Sequence, residues 1–124
     1  MKIFLIDDNE DFVLLFKQVI SKISRNALCM SAENGYQALS NLRFMLPGKP
    51  DLIFVDVKMP IMDGYEILKE IKRMPELNTI PVIMYSSVEQ EPRAQHENIA
   101  KFFLKPNTIE GLHNMLVHAL KLKA

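Results

Sequence analysis

The chain alternates between short runs that are wholly apolar and longer stretches in which apolar residues recur every three or four positions. Ile3 to Ile6 is the first such run, and it stops at Asp7-Asp8. A segment apolar on both faces predicts a central strand of a parallel sheet. From Asp8 to Ile23 the period changes, and Phe12, Phe16, Val19, Ile20 and Ile23 share one helical stripe. Asp8 or Asn9 suits the cap of that helix, and Glu10 and Asp11 favour its first turn through the helix dipole. Ala27 to Ala32 reads as a weaker strand, followed by an Asn34-Gly35 turn. A second helix places Ala38, Leu39, Leu42 and Met45 inward and ends at Pro47-Gly48. Leu52 to Val55 is a third strand that stops at Asp56. A loop through Gly64 follows, with Asp63 capping a helix whose inner residues are Ile67, Leu68 and Ile71. Pro81 to Tyr85 and Phe102 to Leu104 are the fourth and fifth strands, ending at Ser86 and at Lys105. A last helix starts at Asn107 or Thr108 and turns Ile109, Leu112, Met115, Leu116, Ala119 and Leu120 inward.

Strands alternating with helices predict an α/β protein, a doubly wound parallel sheet with helices on both faces. The length of 124 residues suits one domain, expected to span residues 1–124 with no output domain. Fifteen basic and 15 acidic residues give a formal net charge of zero, which argues against a broad nucleic-acid footprint. Cys29 is the only cysteine, so an intramolecular disulfide is impossible, and a small buried side chain is expected there. No apolar run approaches the roughly 18 residues of a membrane span. The expected compartment is the cytoplasm, with no membrane partner.

Ligands of open parallel sheets bind beyond the carboxyl ends of the strands. Five polar residues stand there, each straight after an apolar run: Asp7, Asp8, Asp56, Ser86 and Lys105. Any one of them alone would pass as a helix cap or a solvated charge. Together they describe a site. Two carboxylates about 4 Å apart repel by roughly 4 kcal/mol at an effective dielectric near 20, so gathering three calls for a cation. An all-oxygen, open site suits Mg²⁺ (or Mn²⁺). The metal and Lys105 would neutralise a transferring phosphoryl group, and Ser86 would donate a hydrogen bond to it. A carboxylate nucleophile would then carry the group as an aspartyl-phosphate.

On these residues the sequence resembles the response-regulator receiver family over essentially its whole length. The motif pieces are the apolar run before Asp7-Asp8, Asp56 within Val55-Asp56-Val57-Lys58-Met59-Pro60-Ile61-Met62-Asp63-Gly64, then Ser86, then Lys105-Pro106. The resemblance implies a flavodoxin-like receiver fold with strand order 2-1-3-4-5. It implies Asp56 as phosphoacceptor, and Asp7, Asp8, Asp56 and the Lys58 carbonyl as the metal site. It implies Ser86 and Phe102 as the switch pair that reshapes a partner-binding face. Partners would be a sensor histidine kinase or a histidine phosphotransfer protein, and an output protein that the sequence does not identify. A helix is expected over 89–98, but Ala94 is its one apolar residue, so it should be short or mobile.

Two other readings compete. An aspartate-nucleophile phosphatase would show Asp-x-Asp after the first strand and carry a substrate-covering cap. Asp7-Asp8-Asn9 breaks that spacing. A degenerate receiver serving as a phosphorylation-independent scaffold would not need the complete pocket. His113 and His118 lack metal-ligand spacing, and Tyr85, inside an apolar run, reads as packing.

Overall fold

A computed structural model of the chain describes residues 1–44, 48–88 and 99–123. The elements run β1 (Lys2–Ile6), α1 (Glu10–Ile23), β2 (Leu28–Ala32), α2 (Gly35–Phe44), β3 (Leu52–Asp56), α3 (Gly64–Arg73), β4 (Val82–Ser86), β5 (Lys101–Leu104) and α4 (Ile109–Lys123). The helix expected over 89–98 and the inward Met45 lie outside the described residues. The five strands form one parallel sheet in the order β2-β1-β3-β4-β5, the doubly wound, flavodoxin-like arrangement expected. Register is set by pairs such as Ile6↔Val55 and Asp56↔Tyr85.

Strand period explains how one sheet serves two cores. On one face Phe4, Ile6, Ile53, Val55, Val82 and Met84 pack against α2 and α3 through Ala38, Leu39, Leu42, Ile67, Leu68 and Ile71. On the other, Ile3, Leu5, Leu52, Phe54, Ile83 and Tyr85 meet α1 and α4. Phe12, Phe16, Val19 and Ile20 supply the α1 stripe, as its spacing predicts. Alternate residues of the three inner strands therefore point to opposite cores, which is why these strands are apolar throughout.

The helix caps follow from residue chemistry. Asn9 caps α1, its side chain accepting from the Phe12 N–H at 3.0 Å. Asp63 caps α3 by accepting from the Glu66 N–H, and Thr108 accepts from the Gly111 N–H before α4. One inward assignment was mistaken. Ile109 is 64% exposed, because it opens the first turn of α4 ahead of the stripe that Leu112 begins.

The loop from β3 to α3 stores strain. Ile61 has φ of 70°, and the Met62 N–H donates to the Pro60 carbonyl at 2.7 Å around it. This is the positive-φ γ-turn, costly for a β-branched residue. Ile61 is also 82% exposed, so its side chain stabilises little by packing. Replacing Ile61 with Gly should raise unfolding stability by about 1 kcal/mol, the strain relieved exceeding the added chain entropy. Denaturant titration of both proteins checks this, and a loss of stability would contradict the strain argument.

Candidate functional site

The carboxyl ends of β1, β3, β4 and β5 bring the expected residues to one place. Asp7, one residue beyond the last pair of β1 and β3, is anchored by its own N–H, which donates to the Ala32 carbonyl at 3.1 Å. Its Oδ1 accepts from the Asn9 N–H at 2.8 Å, a local turn that turns the chain from β1 into α1. Asp56 is the last residue of β3, and its Oδ1 accepts from the Lys58 N–H at 3.2 Å. Asp8 stands at the rim, exposed. Carboxylate oxygens of Asp7, Asp8 and Asp56 lie within 4.8 Å of one another.

Lys105 reaches in from the end of β5. Its N–H donates to the Ser86 carbonyl at 2.7 Å, which extends the β4–β5 pairing by one residue. Its ammonium bridges the buried carboxylates, 3.1 Å from Asp7 Oδ2 and 3.0 Å from Asp56 Oδ2. It also sits over the rings of Phe12, at 4.6 Å, and Tyr85, at 5.6 Å. Ser86 is fully buried, and its hydroxyl oxygen accepts from the Val88 N–H at 3.1 Å. Phe102 is half-buried and packs against the α2–α3 core. Lys58 faces solvent with its side chain, so its main-chain atoms are what it offers the site.

Tyr85 packs as expected and also does something the sequence does not reveal. Its ring packs as expected, 5.4 Å from the Phe12 ring, but its hydroxyl donates to Asp7 Oδ2 at 2.6 Å. Strand parity holds the clue. Leu5, Phe54 and Tyr85 point to the same core, so Asp7, Asp56 and Tyr85 form a row across three adjacent strands. Reading that row needs the register between strands, which the apolar run alone does not supply.

The charges are unbalanced. Among the described residues, three carboxylates face one ammonium. Burial, and then the Asp7 charge, push the Asp56 carboxyl above its ordinary 3.8, against the pull of Lys105 and of the Lys58 N–H. Burial works against the Lys105 ammonium, yet Asp7 and Asp56 together hold its pKa above the ordinary value. Burial and the Asp7 charge raise the Tyr85 phenol well above its ordinary range, so it stays a donor. Hard oxygen donors carrying excess negative charge fit a divalent cation of the Mg²⁺ or Mn²⁺ kind.

The Asp56 shift has a sign that can be checked. A carboxyl with a raised folded-state pKa contributes stability that is complete below its unfolded value and is lost as pH rises through the folded value. Asn cannot ionise. Without divalent cation, Asp56→Asn should match the wild type near pH 3.5 and become the more stable protein by pH 7. Denaturant midpoints across that range, repeated with Mg²⁺, provide the check. Mg²⁺ should narrow the gap by stabilising the wild type.

The fold and this edge define a class: a flavodoxin-like α/β protein with an acidic, cation-seeking pocket at the carboxyl ends of its strands. The chain belongs to the response regulator receiver domain family, whose model matches residues 3–117. It is a receiver domain of the two-component signalling systems, a family whose members bind divalent metal and accept phosphoryl groups from histidine kinases or phosphotransfer proteins. Sporulation initiation phosphotransferase F of Bacillus subtilis is 30% identical over 124 residues, covering 99% of this chain and 96% of that protein. The phosphorylated cyanobacterial phytochrome response regulator RcpA matches with a TM-score of 0.87 at 26% identity, over 98% of this chain and 92% of that one. The receiver domain of a histidine kinase from Syntrophus aciditrophicus matches at 0.78 and 28% identity, over 98% and 88% of the two chains. Among the described residues no helix is long and apolar enough to cross a membrane.

Proposed function

We propose that Asp56 accepts a phosphoryl group from a sensor histidine kinase or histidine phosphotransfer protein, in a Mg²⁺-dependent reaction, and that this switches a partner-binding face. One observation carries the reading: Lys105 bridges Asp7 and Asp56 at 3.1 and 3.0 Å while Asp8 completes the acidic cluster. Among the described residues this cluster keeps carboxylate charge in excess of its ammonium.

Asp7, Asp8, Asp56 and the Lys58 carbonyl would hold the Mg²⁺ (or Mn²⁺), which supplies charge neutralisation for the phosphoryl oxygens when bound. Asp56 attacks phosphorus through a carboxylate oxygen. The bond from phosphorus to the donor imidazole nitrogen breaks, and the nitrogen keeps that electron pair. Lys105, already in contact with Asp56, sets its positive charge against the phosphoryl oxygens. The Ser86 hydroxyl then donates to one of them. Movement of Ser86 leaves room behind it, and Phe102, half-buried on the neighbouring strand, turns inward to fill it. The chain acts in this way as a signalling module of the cytoplasm, a receiver over residues 1–124 whose state an output partner reads.

Intact mass after incubation with acetyl phosphate tests the reading. One phosphoryl group should appear with Mg²⁺ and fail to appear when EDTA is present from the start. No uptake under either condition, with beryllofluoride also unbound, would leave a scaffold that works without phosphorylation.

A further inference from the structure

We propose that the Tyr85 hydroxyl is a positioning group for phosphoryl acceptance: it keeps Asp7 in place when Lys105 turns from Asp7 to the phosphoryl group. The inference rests on Asp56 as the acceptor. Its observation is an unequal sharing of one buried carboxylate oxygen. Asp7 Oδ2 accepts from the Tyr85 hydroxyl at 2.6 Å and from the Lys105 ammonium at 3.1 Å. The Asp7 side chain is wholly buried, so water cannot replace a lost partner there.

The two donors differ in freedom. Lys105 is a flexible side chain that also contacts Asp56 at 3.0 Å. A phosphoryl group on Asp56 places new negative charge beside that ammonium and draws it away from Asp7. Tyr85 cannot follow. It is fully buried, its backbone pairs with Asp56 across the β3–β4 ladder, and its ring packs on Phe12. Its hydroxyl therefore remains on Asp7 Oδ2, with the Asn9 N–H on Oδ1. A buried carboxylate with Oδ2 stripped of both its donors would oppose the phosphorylated state. A Phe at position 85 would fill the same space and leave that penalty in place.

Tyr85→Phe separates this role from general support. The Mg²⁺ dissociation constant is measured alone, then the beryllofluoride dissociation constant at saturating Mg²⁺ by fluorine NMR, with thermal unfolding as the folding check. Mg²⁺ binding should stay within about twofold, because Lys105 still holds Asp7 in that state. Beryllofluoride binding should weaken about tenfold, the loss of roughly one hydrogen bond to a buried charge. Unchanged beryllofluoride binding overturns the inference, and so does an equal weakening of both ligands. A wild type that binds Mg²⁺ but no beryllofluoride overturns the acceptor reading first, and this one with it. If the variant does not fold, the Tyr85 hydroxyl proton of the wild type gives the answer. It must remain in slow exchange after beryllofluoride is added, and its disappearance overturns the inference.

Discussion

Asp56→Asn should lower phosphoryl uptake by roughly a thousandfold or more while leaving the protein folded, because the amide has no nucleophilic oxygen to offer phosphorus. The geometry makes the substitution mild in every other respect. The side chain keeps its shape at the end of β3, and an amide oxygen can still accept from the Lys58 N–H that now donates to Oδ1 at 3.2 Å. The ammonium of Lys105 retains Asp7, 3.1 Å away. The neighbouring carboxylates are poor substitutes, for different reasons. Asp7 is committed to three donors, from Asn9, Tyr85 and Lys105. Asp8 is exposed at the rim, where its charge is dispersed in water. The check is initial-rate labelling with acetyl phosphate and Mg²⁺ on both proteins, followed by mapping of the labelled residue. Substantial labelling of the variant would assign the acceptor elsewhere in the cluster.

Gly64→Ala should cost about 3 kcal/mol of stability and slow phosphorylation roughly a hundredfold. Gly64 opens α3, and its N–H donates to the Val57 carbonyl at 2.8 Å. A Cβ there would lie 2.5 Å from the Asp56 carbonyl oxygen, 2.9 Å from Val57 Cα and 2.9 Å from Met84 Cε. The methionine end can move aside, but the two backbone atoms cannot. Either α3 retreats from the sheet or the end of β3 bends. The first opens the core beneath Ile67 and Leu68, both essentially unexposed. The second displaces Asp56 from Lys105. For a domain of this size the stability loss corresponds to a fall in Tm of about 10 °C. Thermal unfolding and labelling rate, taken well below the lowered Tm, test the two halves separately. A variant as stable and as fast as the wild type would show that the loop absorbs the methyl.

Most of the architecture was legible because parallel strands buried on both faces leave an unmistakable pattern. Leu52 to Val55 has no polar residue, and a surface strand would need one at every second position. The polar residues that end such runs have to share an edge, which places Asp7, Asp8, Asp56, Ser86 and Lys105 together on sequence grounds alone. Local chemistry also read well, as at the Asn9 and Asp63 caps. What stayed hidden depended on register. Tyr85 meets Asp7 across 78 positions of sequence, and no local period reveals which aromatic of a buried run ends beside a carboxylate. The strain at Ile61 was hidden for a related reason, since a γ-turn is a property of how the loop is held between β3 and α3. Ile109 shows the reverse error, a residue in phase with a stripe that lies beyond the end of what the stripe covers.

The pocket draws one residue or more from each of four strands, and the cation comes from the last of them, anchored by the Lys105 N–H on the Ser86 carbonyl. During synthesis Asp56 leaves the ribosome long before Lys105 does. Until β5 docks, Asp56 and Asp7 share no ammonium, and the nascent sheet holds two adjacent carboxylates that repel. The ion-paired cluster is therefore complete only once β5 has paired with β4. A chain interrupted anywhere before residue 105 possesses Asp56 and Asp7 without the ammonium that bridges them.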